Sequence, residues 1–360
     1  MLDSRIKQRY LIFSTYSNLD ASFRLRILPV VDHLIASNFE VKVYSIFSDF
    51  TYRNRNRTII HKLLVSIMIV FKLVRRIISL FEITDQDIVI IHREFFPFFL
   101  PWFERRVASR AKYSILDFDD ALYTSPSAGR DWRFFLRNPK RFSDFVSQVD
   151  RVIVSSPTLM DWAKSFNSNV HIRYTFPPRM HPVDNLGIRT DILWIGSDSS
   201  FVHLKPKIEL LNRIAQEHDL VINVLGGDRM MQYRWPKRFN VKLWSMSDEV
   251  RFLASRFVGI MPLNDDEWSR GKGAFKLFQY MSVGMPVVAS PFGMNSNVIQ
   301  ESKCGYAVLS EEEWERSFRK LLYDPILFEQ LGSNGYTWLI EQSRIMSLDI
   351  FKNFDNRPRS

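Results

Sequence analysis

The chain has 360 residues, 46% of them hydrophobic and 24% charged, which excludes wholesale disorder and leaves room for two cores. Its 13 Gly and 16 Pro exclude collagen-like or low-complexity chains, and the single Cys304 excludes a disulfide framework and any cysteine-based zinc site. The net charge of +10 sits in the first half: residues 1–180 carry 27 Lys and Arg against 17 Asp and Glu, and residues 181–360 carry 22 of each. A basic half beside a neutral half points to an anionic partner, a membrane surface or a nucleic acid, or else to a solvated basic face. One cysteine fits a reducing cytoplasm, and the charged Met1–Tyr10 stretch leads straight into a strand-like run, so no signal peptide is expected.

Short apolar runs alternate with helix-length segments from end to end. Tyr10–Ser14 and Glu40–Ile46 read as strands flanking a helix over Phe23–Ser37, and Asp87–His92, Tyr113–Asp117 and Arg151–Ser155 continue the series. Between them, Leu63 to Phe71 is uncharged, while Lys62, Lys72, Arg75 and Arg76 bracket or interrupt the segment to Phe81. That run is shorter than the ~20 apolar residues a bilayer span needs. It suits a membrane-interface helix, or a buried helix whose charges reach its rim. The aromatic cluster Phe95, Phe96, Phe98, Phe99 and Trp102 is expected to be exposed and favours the interface.

Phe176-Pro177-Pro178 and His181-Pro182 break the rhythm, placing a boundary near residues 176–188. Asp191–Gly196, Val221–Leu225, Val241–Trp244, Val258–Met261, Pro286–Ala289 and Tyr306–Val308 then read as a second set of strands. The pattern predicts an α/β protein of two Rossmann-like, doubly wound domains facing across a cleft. Residues 1–180, joined by a C-terminal helix around 338–360, form the first, and residues 186–337 the second.

The richest stretch runs from Gly259 to Ser290 and reads as strand, loop, helix, tight turn, strand. Gly271, Gly273 and Ala274 are expected to open a helix carrying Lys276 to Met281, with Lys272 and Lys276 four apart on one face. Free N–H groups and two cations suit a diphosphate, or else form a basic cap without ligand. Gly196-Ser197-Asp198 offers backbone N–H groups after a strand, and Gly226-Gly227 lets a nucleotide approach the backbone. Trp244 is placed to pack on a base or in the core. Asp265 and Asp266 face sugar hydroxyls or form an exposed turn. In the first half, His92 ends a strand. Asp117, Asp119 and Asp120 end the next, where a carboxylate can orient an acceptor hydroxyl, act as its base or cap a helix. Arg24 and Arg26 point to different faces of a helix, and Arg24 is assigned to an acceptor phosphate. Three acids as close as Asp117, Asp119 and Asp120 also suggest a metal site, but two or more of them are expected to turn different ways, and no His, Asp and Glu spacing elsewhere supports a ligand set.

These residues resemble glycosyltransferase family 4, a retaining group with the GT-B fold, in its bacterial surface-polysaccharide branch. The likeness is carried by Trp268-Ser269-Arg270-Gly271-Lys272-Gly273-Ala274-Phe275-Lys276-Leu277-Phe278-Gln279-Tyr280-Met281, Ile91-His92-Arg93-Glu94-Phe95-Phe96-Pro97, Ile115-Leu116-Asp117-Phe118-Asp119-Asp120-Ala121 and Trp194-Ile195-Gly196-Ser197. It implies transfer from a nucleotide-diphosphate sugar, with no metal and no further cofactor, to a lipid-linked or saccharide acceptor for O-antigen, capsule or lipopolysaccharide. It also implies a cytoplasmic enzyme held peripherally on the inner face of the cytoplasmic membrane; the basic residues are not interleaved in a recognisable nucleic-acid-binding motif, so no nucleic acid is expected. By this resemblance Gly196, Ser197, Lys205, Gly226, Trp244, Lys272, Gly273, Ala274, Phe275, Lys276 and Gln279 face the donor. Arg24, Arg93 and Glu94 face the acceptor, Arg93 toward a phosphate, with Glu94 equally readable as its ion-pair partner. His92, Asp119 and Asp120 stand at the reacting centre. The family's paired glutamates fall on Gly271 and Gln279, so sugar and ribose contacts differ here, and Ser14-Thr15-Tyr16-Ser17-Asn18 replaces a Gly-rich loop. A sugar-nucleotide epimerase of the same fold and an inert nucleotide-sugar-binding partner are the competing expectations.

Overall fold

The computed structural model describes residues 7–54, 59–96, 101–124, 139–178, 191–255, 257–352 and 354. They fall into two compact units: one holds the residues up to Thr175 and those from Ser347 onward, and the other runs Phe176–Met346. The helix Pro325–Ile345 stays wholly in the second unit. The chain rejoins the first through the turn Leu348–Phe351, where Phe351 is fully buried and its carbonyl accepts from Tyr10 Oη at 3.3 Å.

The first unit is built on a parallel sheet of β1 (Arg9–Ser14), β2 (Glu40–Ser45), β3 (Ile88–His92), β4 (Tyr113–Phe118), β5 (Arg151–Val154) and β6 (Val170–Ile172), in the order β2-β1-β3-β4-β5-β6. Runs such as Leu11-Ile12-Phe13 and Val89-Ile90-Ile91 are apolar throughout because helices cover both faces, leaving these residues 0% exposed. β6 has no such signature: three residues with His171 in the middle make it a strand only through its pairing with β5. The chain leaves β1 for β2, then crosses back to β3, so the sheet reverses at the carboxyl ends of β1 and β3.

The second unit repeats the plan with β7 (Asp191–Ile195), β8 (Ile222–Gly226), β9 (Phe239–Leu243), β10 (Phe257–Met261), β11 (Val287–Ala289) and β12 (Gly305–Ala307), in the order β12-β11-β10-β7-β8-β9. Its reversal lies at the carboxyl ends of β7 and β10. A core of Ile192, Trp194, Leu211, Val224, Ile260 and Trp314 holds this sheet to its helices. Backbones touch where Gly332 of the helix Pro325–Ile345 meets the turn at Gly284: a Cβ on Gly332 would lie 2.0 Å from the Gly284 carbonyl oxygen. Gly332→Ala is therefore expected to cost about 3 kcal/mol or more, read as a lower urea midpoint.

Two local expectations are corrected. The helix expected over Phe23–Ser37 begins as a π-helical turn, Phe23–Ile27, before the α-helix Leu28–Ala36. Pro29 has no N–H to donate back to Leu25, and Leu28 instead donates to the Phe23 carbonyl. In the aromatic cluster, Phe95 is fully buried, edge-on to Phe13 at 4.8 Å, and Phe96 stacks on Phe103, leaving Trp102 exposed. Phe98 and Phe99 lie outside the described residues.

Candidate functional site

At the carboxyl ends of β1 and β3 one hydrogen-bonded chain links most of the first unit's candidates. His92 is fully buried, its Nδ1 3.0 Å from Ser14 Oγ and its Nε2 2.9 Å from Ser22 Oγ. Ser22 has one hydroxyl proton and donates it to Asp119 Oδ2 at 2.6 Å, a carboxylate oxygen that only accepts. Ser22 must then accept from His92 Nε2–H, which leaves Nδ1 to accept from Ser14. Burial pushes the His92 pKa down to about 3, and Arg93 adds to the effect, so the ring is neutral at physiological pH.

Arg93 closes the other side of Asp119. Its Nε donates to Asp119 Oδ1 at 2.7 Å and its terminal nitrogen to Asp120 Oδ2 at 2.8 Å. This clamp needs Arg93 in the left-handed region at φ 67°, a conformation seldom adopted outside Gly, Asn and Asp, held by its N–H donating to the Asp117 carbonyl at 2.7 Å. Burial alone would raise the Asp119 pKa, but the Arg93 guanidinium holds it well below the carboxylate range. With Arg93 engaged by two carboxylates, the group as a whole is suited to accept hydrogen bonds from hydroxyls rather than to bind a phosphate.

The structure thus gathers His92, Arg93, Asp119 and Asp120, and adds Ser22, which sequence reasoning passed over. Glu94 turns elsewhere: it is buried, its Oε1 lies 3.5 Å from Thr15 Oγ1, and its charge acts on Arg76. Arg24 is half-buried in the π-helical turn, and its neighbour Arg26 is sealed in an ion pair with Asp117 at 2.6 Å. Asp117 is therefore a buried pairing residue.

In the second unit the strand ends at β7 and β10 are tied by the helix Phe275–Met281. Tyr280 Oη accepts from the Ile195 N–H at 3.1 Å and donates to the Ile260 carbonyl at 3.3 Å, fixing that helix over both strands. One turn earlier, Lys276 Nζ lies 5.5 Å from the Trp194 ring, on which Gly196 rests so closely that a Cβ would sit 2.4 Å from the indole. Lys272 and Lys276 both act on His203, a buried residue that sequence reasoning did not single out. Burial, then these two lysines, push its pKa down to about 4. His203 Nδ1 accepts from the Asn264 N–H at 3.3 Å, leaving the ring proton on Nε2.

The helix does not open at Gly271. A separate turn, Glu267–Arg270, ends there, and Ala274 at φ 53° is the cap residue of the next helix, without a side-chain acceptor. Gly273 lies between the two. Asp266 caps the earlier turn through the Ser269 N–H at 2.7 Å, and Asp265 pairs with Arg270 at 2.9 Å, so local structure engages both acids. Phe275 is half-buried and Gln279 is buried inside the unit. Ser197 Oγ meets Ser199 and Ser200 at 2.8 and 3.1 Å. The Trp244 N–H donates to the Gly226 carbonyl at 2.8 Å while its indole donates to Glu249, placing the ring beside the end of β8. Lys205 Nζ lies over the Tyr233 ring at 6.0 Å. Among the described residues no group of His, Cys, Asp and Glu is arranged to hold a metal ion.

No protein-family model and no curated protein sequence matches the chain. Solved structures do. Sucrose-phosphate synthase from Thermosynechococcus elongatus superposes with a TM-score of 0.64 at 12% identity, covering 96% of each chain. WaaG, a glycosyltransferase involved in lipopolysaccharide biosynthesis, gives 0.60 at 13% identity, covering 96% of this chain and 100% of its own. TarM gives 0.56 at 12% identity over 75% of this chain and 54% of its own, so the chain spans about half of that protein's length. At such identities the likeness establishes architecture: the chain has the α/β, two-domain, Rossmann-like GT-B fold that these proteins share.

Proposed function

We propose that the protein is a metal-independent, retaining glycosyltransferase that moves a sugar from a nucleotide-diphosphate sugar to a saccharide or lipid-linked acceptor. The acceptor belongs to cell-surface polysaccharide synthesis, and the enzyme works at the inner face of the cytoplasmic membrane. The observation that carries this reading is the pair Lys272 and Lys276 beside neutral His203 at the carboxyl ends of β7 and β10. Two cations and a ring N–H at a topological switch point suit a diphosphate. Supporting this, a Staphylococcus aureus TarM variant is solved with UDP, and WaaG and sucrose-phosphate synthase are named for glycosyl transfer and sugar-phosphate synthesis.

In the proposed reaction the bond from the anomeric carbon to the diphosphate oxygen breaks and its electron pair leaves with the phosphate, where Lys272 and Lys276 neutralise the growing charge. The acceptor hydroxyl oxygen forms the new bond on the same face, and its proton passes to the departing phosphate oxygen. Asp119 and Asp120 hold acceptor hydroxyls, Arg93 keeps Asp119 ionised, and buried His92 acts through Ser22 as a positioning residue.

Thermal unfolding with UDP, GDP, ADP and CMP tests the donor site. One nucleoside diphosphate at about 100 times its Kd stabilises by about 2.7 kcal/mol, a rise of roughly 5 °C or more. Lys276→Ala is expected to abolish that rise. No shift with any nucleotide removes the donor assignment. Binding that persists with no sugar transferred to any acceptor selects an inert partner instead.

A further inference from the structure

The helix Ile59–Glu82 carries an apolar face that the described residues of the first unit leave exposed. Leu63, Ile67, Phe71, Ile78 and Phe81 are each more than half exposed, and their spacing puts them in one stripe about 27 Å long. The opposite face is secured by Arg76. Its guanidinium is buried, donates to the carbonyls of Ser14, Tyr44 and Phe95 at 2.6 Å each, and lies over the rings of Phe13 and Phe95. The helix is therefore held flat against the unit with the stripe facing outward, and no helix among the described residues is long and apolar enough to cross a membrane.

Charge lines one flank. A shallow cavity of about 260 Å³ is bounded by Lys42, Lys72, Arg75 and Arg76 with Val43, Tyr44 and Ser45. On the neighbouring helix Pro101–Arg110, Trp102 is exposed, as are Arg105 and Arg106. An apolar stripe bordered by cations and an exposed Trp matches a surface with acyl chains below and anionic groups above. A second copy of the chain would bring the same basic rim toward itself.

We infer that the exposed face of the helix Ile59–Glu82 lies in the plane of a bilayer rich in anionic phospholipid, with headgroup phosphates seated in the Lys42–Lys72–Arg75 cavity. This deepens the membrane part of the proposed function and is independent of the donor site. Arg76 gives the docking a consequence: through the Ser14 and Phe95 carbonyls it ties the lipid-facing helix to the strand ends that position His92, so the acceptor group sits against the membrane-bound edge of its unit.

Flotation of the full chain with vesicles tests this, using phosphatidylcholine alone against phosphatidylcholine with about 30% phosphatidylglycerol. Partition is expected to be roughly ten-fold or more in favour of the anionic vesicles. Ile67→Ser with Phe71→Ser should lower it roughly ten-fold or more, and Lys72→Gln with Arg75→Gln about 30-fold on anionic vesicles only. All four sites are on the surface, so unchanged thermal unfolding confirms that each variant folds. Equal partition of the variants and the parent, or no binding to either vesicle, overturns the inference. So does a dimer in sedimentation that the Ile67→Ser, Phe71→Ser variant converts to monomer, which assigns the stripe to a second copy. Because the readout is vesicle binding, its failure leaves nucleotide binding untouched, and the reverse also holds.

Discussion

Replacing Asp117 by Ala is expected to destabilise the first unit by about 3–5 kcal/mol, one of the largest losses open to a single substitution in this chain. Arg26 and Asp117 are both fully buried, with Nε donating to Oδ1 at 2.6 Å. The same guanidinium donates to the Arg173 carbonyl at 2.6 Å and to Thr175 Oγ1 at 3.3 Å, and Arg173 donates back to the Arg26 carbonyl at 3.0 Å. Removing the carboxylate leaves a cation out of water with carbonyl and hydroxyl partners alone, so the penalty is the desolvation of Arg26 and not the worth of the pair. Arg26→Met with Asp117→Leu, which removes both charges, is expected to recover most of the loss. Urea unfolding of the parent, both single variants and the double variant measures the coupling. Additive losses would show that the two charges do not depend on each other.

That pair shows what sequence reading reaches and where it stops. The strands were legible because a parallel sheet covered on both faces demands uninterrupted apolar runs, and Leu11–Phe13 or Val258–Met261 meet that demand. Strand ends in turn placed His92 and Gly196, since ligand sites collect at the carboxyl edge. Partnerships across the sheet were not legible. Arg93 reaches Asp119 and Asp120 because β3 and β4 pair with His92 opposite Asp117, and that register is a property of the fold. The same limit hid Ser22, which meets His92 only once the fold brings them together, and His203, on which Lys272 and Lys276 act from a distant stretch of the chain. Glu104 in the helix Pro101–Arg110 reads as an ordinary helix-surface acid, yet it is 1% exposed.

Glu104 and His92 are expected to give the first unit a pH profile of opposing slopes. His92 stays neutral down to about 3, whereas an unfolded His takes its proton near pH 6.5. Below pH 6.5 the unfolded state binds more protons, so stability from this group is complete above 6.5 and is lost on acidification, about 2 kcal/mol by pH 5. Glu104 runs the other way. Burial raises its pKa to about 8, so between the usual carboxylate range and pH 8 the folded state holds the extra proton, and acidification from 7.5 to 5 adds about 3 kcal/mol. The contributions of these two groups therefore largely offset each other over that range. Glu104→Gln removes one of the raised carboxyls of this unit, Asp20 and Asp117 being the others: it should stabilise the unit by about 2–4 kcal/mol at pH 7.5 and remove the roughly 3 kcal/mol that Glu104 adds on going to pH 5. Hydrogen-exchange protection factors at β3 and β4, each normalised to the intrinsic rate at that pH, read this. In the second unit His203, shifted to about 4, has no comparably raised carboxyl among the described residues, so protection factors at β7 and β8, taken against the intrinsic exchange rate at each pH, should fall on acidification in parent and variant alike. Parallel profiles at β3 and β4 in parent and Glu104→Gln would mean that Glu104 ionises normally, and that the buried pocket around it is wetter than its packing implies.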